Sequence, residues 1–152
     1  MRVLRESLAI LGLAVAIGSV WLSWSQLPPR IPTHFGFSGP PNGFGPKTSL
    51  LELPVIAILF YFVLTLLSRF PQVFNYPVKV TEGNSGRLHS LGVAVVGWLK
   101  AELVWTFAWL TLTTVRVALG QSSGLNAAFL PVSLGVVGVT VILFWTRMLK
   151  LA

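Results

Sequence analysis

Four apolar stretches, each close to the length of a bilayer crossing, constrain this chain more than any other feature. A helix needs about 20 mainly apolar residues to span the hydrocarbon core. Backbone polar groups in lipid must be paired within the segment itself, which leaves helices or closed barrels. The stretches predict helices over about 7–24, 50–68, 88–119 and 127–149. Composition agrees: 10% of the residues are charged and 54% hydrophobic, where a soluble domain carries about 25% charged residues. The expected fold is all-α, a single integral membrane domain over 1–152 in the cell membrane.

The first helix follows Arg2 and Arg5 and resembles a signal sequence. Trp21 and Trp24, however, stand where a cleavage site needs small residues, so an uncleaved first helix is expected. Basic residues then orient the bundle. Arg2, Arg5, Arg69, Lys79, Arg87, Arg147 and Lys150 fall on one side, and Arg30, Lys47 and Arg116 on the other. Seven against three predicts cytoplasmic termini and an extracytoplasmic loop over 25–49. A formal charge of +7 invites a nucleic-acid reading. The bases are scattered singly, without a stripe or recognition motif, so lipid is the expected partner and nucleic acid is not.

The third stretch exceeds one crossing. From Arg87 to Leu119 it makes about 50 Å of helix at about 1.5 Å per residue, so its first third lies along the interface or projects from it, with Gly97 a candidate bend. Spacings of three and four link Leu88, Leu91, Val95, Trp98, Glu102, Trp105, Trp109, Leu112 and Arg116. This seam predicts the face packed on neighbouring helices. Lys100 lies about 200° round from Glu102, so it is expected to snorkel to headgroups. Arg116 ends the seam and is expected to snorkel outward, and His89 to lie on the surface. Gly12-x-x-x-Ala16 and Ala14-x-x-x-Gly18 are small-residue spacings that allow close helix approach or a homo-oligomer.

The loop over 25–49 holds six of the ten prolines and four glycines, too many for a helix. Ile31, Phe35, Phe37 and Phe44 give it apolar anchors. Pro32 to Phe37 reads as a short extended stretch and Pro41-Asn42-Gly43 as a tight turn. The expectation is a compact cap over the outer helix ends.

Leu27-Pro28, Ile31-Pro32-Thr33-His34-Phe35, Gly39 and Lys47 together resemble the signature of a domain of unknown function. That domain sits at the N-terminus of Sdp-type immunity proteins, bacterial membrane proteins that protect cells from a secreted killing peptide. The match runs well over about Trp24 to Leu67, and more loosely around Lys100-Ala101-Glu102. Members commonly carry an acid in the turn after Gly39, where this chain has Pro41-Asn42-Gly43. The full immunity proteins also have further C-terminal membrane helices. The resemblance implies a shared membrane module in which Pro32, His34, Phe35, Gly39 and Lys47 organise the loop or bind a ligand; Glu52, one turn into the second helix, is a further candidate from its own position.

Each polar candidate has a structural and a functional reading. His34 either donates to carbonyls left unpaired by the prolines or serves as a metal ligand, pH switch or peptide contact. Lys47 either clamps loop carbonyls, pairs with Glu52 or snorkels. Ser49-Leu50-Leu51-Glu52 fits a capping box, although Pro54 allows a helix start nearer Glu52. A His34–Glu52 pair under the loop is the functional alternative. Glu102 either makes an interhelical hydrogen bond or marks an intramembrane functional site.

Three functions follow. One is a non-enzymatic module that binds or senses an extracytoplasmic peptide or other ligand through the loop. Another is an oligomeric transporter or channel component using Glu102 and Glu52. The third is a metal-dependent membrane enzyme. With no cysteine or aspartate and two histidines placed on opposite sides, no catalytic residues and no cofactor are expected. His34 is the one extracytoplasmic histidine available to a metal.

Overall fold

A computed structural model describes residues 1–152. Its four long helices are α1 (Arg2–Ser23), α2 (Glu52–Leu67), α3 (Ser85–Ala118) and α4 (Phe129–Leu149). All four are long and apolar enough to cross a membrane, α2 together with the 3₁₀ turn Lys47–Leu51 that leads into it. Large apolar side chains, among them Trp21, Phe62 and Ile142, stay exposed along them, as lipid contact requires. The chain is an all-α polytopic membrane protein with one small addition. Strands β1 (Arg30–Phe35) and β2 (Pro41–Pro46) form an antiparallel hairpin between α1 and α2.

The central helix is α3, with α1 and α2 packed along it and α4 more loosely attached. Between helices in lipid, close packing replaces the hydrophobic drive, so small residues mark the contacts. On α1 the buried stripe is Arg5, Ala9, Gly12, Ala16 and Val20. Gly12 and Ala16 are thus used within the chain, with Gly12 against Val104 of α3, whereas Ala14 is exposed and Gly18 faces open space. On α3 the buried face runs through Leu88, Gly92, Val96, Ala101, Val104, Ala108, Thr111 and Val115. This corrects the expected seam. Of the residues in it, only Leu88 is buried, and Arg116 is exposed in the last turn of α3. Trp98 and Trp109 stand off the close helix approaches, and Trp105 reaches α1 only at its edge, beside Gly12. All three line a groove of about 420 Å³ between α1, α3 and α4.

With 34 residues, α3 is about 50 Å long. It runs unbroken through Gly97, which meets the Arg5 side chain rather than marking a bend. Arg5 of α1 lies level with Ala94, so the first turns of α3 project past the start of α1. There they pack on the segment between α2 and α3. Phe74 and the Tyr76 hydroxyl sit against Gly92, and the Tyr76 ring lies 5.9 Å from that of His89. Both chain termini, this segment and Lys100 occupy one end of the bundle. The hairpin and the α3–α4 link occupy the other.

Candidate functional site

The hairpin is built from residues that resist helix and are held by tertiary bonds. Its base enters the protein: Leu27 and Ile31 join Val20, Leu50 and Val115 in a buried cluster, with Trp24 and Leu53 against it. Lys47 fixes the return. Its amide donates to the Pro29 carbonyl at 3.0 Å. Its Nζ donates to the Trp24 carbonyl at 3.4 Å and stands 4.9 Å from the Trp24 ring centre. That lysine therefore closes the end of α1, whose last carbonyls lack intrahelical partners.

The reversal lies over Gly36–Gly39, not at Pro41-Asn42-Gly43. The Gly39 amide donates to Gly36 and the Gly36 amide to Pro40, both at 2.9 Å. Gly39 has φ +109°, a value that residues with a Cβ rarely adopt. This glycine, rather than the Pro-Asn-Gly step, decides where the chain turns. Asn42 falls inside β2 instead.

Two irregularities bring the polar pair of the hairpin together. Pro32 opposes Phe44, His34 opposes Gly43 and Phe35 opposes Pro41. Thr33 is thus the extra residue on one strand and Asn42 the extra residue on the other, a pair of offsetting bulges. His34 Nδ1 and Asn42 Oδ1 are in hydrogen-bond contact. This corrects the proposed His34–Glu52 pair. Glu52 instead faces a small cavity of about 90 Å³ shared with Pro32, Thr33, Ser49 and Thr114. The Ser49 capping box does not form. The turn Lys47–Leu51 is 3₁₀, and α2 starts at Glu52 with no side-chain cap. Pro54 then sits in the first helical turn, where its missing N–H goes unneeded.

The tip of the hairpin is clamped as firmly as its base. The Leu125 amide donates to the Gly39 carbonyl at 2.9 Å. A Cβ on Gly39 would lie 2.2 Å from the Leu125 oxygen, and one on Gly124 2.4 Å from the Gly39 oxygen. Between these two anchorages Phe37 is 92% exposed and Phe44 54% exposed, beside Arg30 and the His34–Asn42 pair. Pro32 is buried and Phe35 half-buried, so the signature residues divide into anchors and outward-facing groups.

The intramembrane candidates lie elsewhere. Thr140 of α4 donates to Glu102 Oε1, an α3–α4 bond, while Glu102 Oε2 is buried without a partner beside the tryptophan groove. Trp105 Nε1 donates across to the Leu8 carbonyl of α1 at 2.9 Å. Glu102 and Glu52 are on different seams, α3–α4 and α2–α3, and do not share a cavity.

Lys100 does not snorkel. It is buried at 4% exposure, with Nζ 2.8 Å from Glu6 Oε2, 2.9 Å from Thr65 Oγ1 and 4.6 Å from the Tyr61 ring centre. Tyr61 donates to Glu6 Oε1. One acid from α1, two hydroxyls from α2 and one base from α3 form a polar cluster, with Lys100 buried and Glu6 partly exposed. Glu6 was missed in the sequence. Its signal is the one acid among the N-terminal bases, opposite a lone lysine set in an apolar helix.

The fold and its cap define a class: a polytopic membrane protein carrying an ordered, doubly anchored hairpin at one end of its bundle. Residues 9–58 match the model of a domain of unknown function, DUF1648, a membrane-associated domain. The matched stretch spans most of α1, the whole hairpin and the first turns of α2. An uncharacterized protein of Archaeoglobus fulgidus is 40% identical over a region covering 41% of this chain and 41% of its own length. No solved structure matches the chain.

Proposed function

We propose that this chain is a non-enzymatic membrane module whose hairpin, facing outside the cytoplasm, binds a peptide. The observation that carries this reading is the presentation of Phe37 and Phe44 on a hairpin fixed at both ends. Exposed aromatics on a rigid support bind with little loss of conformational entropy. Prolines at 32, 41 and 46 leave the strands short of N–H donors, which disfavours capture by strand addition. Recognition would therefore run through the side chains of Phe37, Phe44, Arg30 and His34. The orientation rests on the seven bases at the terminal end against three at the hairpin end. The resemblance of the Ile31–Phe35 motif to Sdp-type immunity proteins supports a secreted peptide as the ligand.

The test compares a deletion strain complemented with the wild-type chain, with Phe37→Ala/Phe44→Ala, or with nothing, on exposure to secreted killing peptides. Protection by the wild type that the double variant loses, at equal membrane abundance, is the expected result. Identical sensitivity in all three strains would sink the reading.

A further inference from the structure

At the end opposite the hairpin, a cavity of about 470 Å³ opens among α1, α2, α3 and the start of the α2–α3 segment. Its charged lining is Arg2, Arg5, Arg69 and Lys100 against the single acid Glu6. The volume is within the range of small-molecule sites, about 300–1,000 Å³. The charge of Lys100 is already matched by Glu6. Arg5 is not matched: it is 8% exposed, its one hydrogen bond goes to the Ala94 carbonyl at 3.2 Å, and it has no carboxylate partner. A guanidinium has five N–H donors in a planar fork that suits phosphate oxygens. A buried cation without a counter-ion is costly. Arg2 and Arg5 from α1 and Arg69 from beyond α2 thus converge on one partly open cavity whose single acid, Glu6, is already bonded to Lys100.

We infer that this cavity is a binding site for a phosphate-bearing anion. Its position at the end of the apolar helices puts it at headgroup depth, where basic pockets between membrane helices take anionic lipid headgroups. The same chemistry would hold a free phosphate, and the experiment separates the two.

The purified full-length chain in neutral detergent is offered phosphatidylglycerol, phosphatidylcholine of the same acyl chains, or inorganic phosphate. Retained lipid is read by native mass spectrometry and phosphate by equilibrium dialysis. The expected result is selective retention of phosphatidylglycerol over phosphatidylcholine, weakened about tenfold or more in Arg5→Gln and Arg69→Gln. Lys79→Gln and Lys150→Gln, exposed at the same end but outside the cavity, leave it unchanged. Because Arg5 also packs on Gly97 between α1 and α3, the exposed Arg69 supplies the variant that is independent of folding. Saturable phosphate binding that depends on Arg5 and Arg69, without lipid selectivity, would support the site and assign it to a soluble anion. Binding of neither anion, or binding indifferent to both arginines, would overturn the inference.

Discussion

The carbonyl of Gly39 at the hairpin tip accepts the amide of Leu125 from the α3–α4 link, and no side chain could stand between them. Gly39→Ala and Gly124→Ala should therefore each open this seam, the first also through its φ of +109°. Hydrogen exchange at 36–40 and 120–126 is expected to rise in both variants. The double variant should be no worse than the more damaging single one, since both break the same contact. Additive loss would show that the two glycines act separately.

The Glu6–Lys100 pair should respond asymmetrically to its two halves. Lys100 has 5% of its side chain exposed and Glu6 40%. Glu6→Gln removes the counter-charge of a buried ammonium and leaves it only neutral acceptors, Thr65 among them, so it should be the more costly single change. Lys100→Met leaves a carboxylate that still reaches Tyr61 and solvent, and should cost less. The double variant is expected to recover much of the loss in thermal unfolding in detergent. A double variant as unstable as the sum of the singles would count against the pairing.

At the α3–α4 seam, Thr140→Val removes the one side-chain hydrogen bond between these helices, worth about 1 kcal/mol. The local effect should exceed the global one: amides of α4 gain exchange while those of α1 do not. Equal change in both helices would contradict the loose attachment of α4.

Tyr76 gives a pH-dependent test outside the membrane-spanning segments. Burial pushes its phenol above the usual value of 10.0. Below that value both folded and unfolded chains hold the proton, and the stabilisation is complete. As pH rises past about 10 the unfolded chain ionises first, and stability falls until the folded phenol also titrates. Tyr76→Phe should flatten this alkaline slope in melting temperature, and also lose the bond to the Pro71 carbonyl. An unchanged slope would assign the alkaline loss to other groups.

Hydropathy made the four helices legible because length and apolarity are local properties. The packing face of α3 was not legible in the same way. In lipid an apolar side chain is equally at ease inside or outside, so the periodic Trp98, Trp105 and Trp109 looked like a core. The smaller Gly92, Ala101, Val104 and Ala108 were the better guide. In the hairpin, proline density correctly excluded helix, yet Pro41-Asn42-Gly43 drew the turn away from Gly39, whose positive φ has no local sequence mark beyond glycine itself. The placement of Asn42 beside His34 depends on two bulges, which no pattern of residues announced. Glu6 and Lys100 are 94 positions apart, and nothing periodic connects them.

That separation also sets an order of assembly. Glu6 enters the membrane with the first helix and must wait through the synthesis of 94 further residues for its counter-charge. At about 5–20 residues per second this is on the order of 5 to 20 seconds. During that interval Glu6 has only the arginines of its own helix, Arg2 and Arg5, as nearby bases. The contact that ties α1, α2 and α3 together at this end can therefore close only after the third helix has been made, late in the synthesis of the chain.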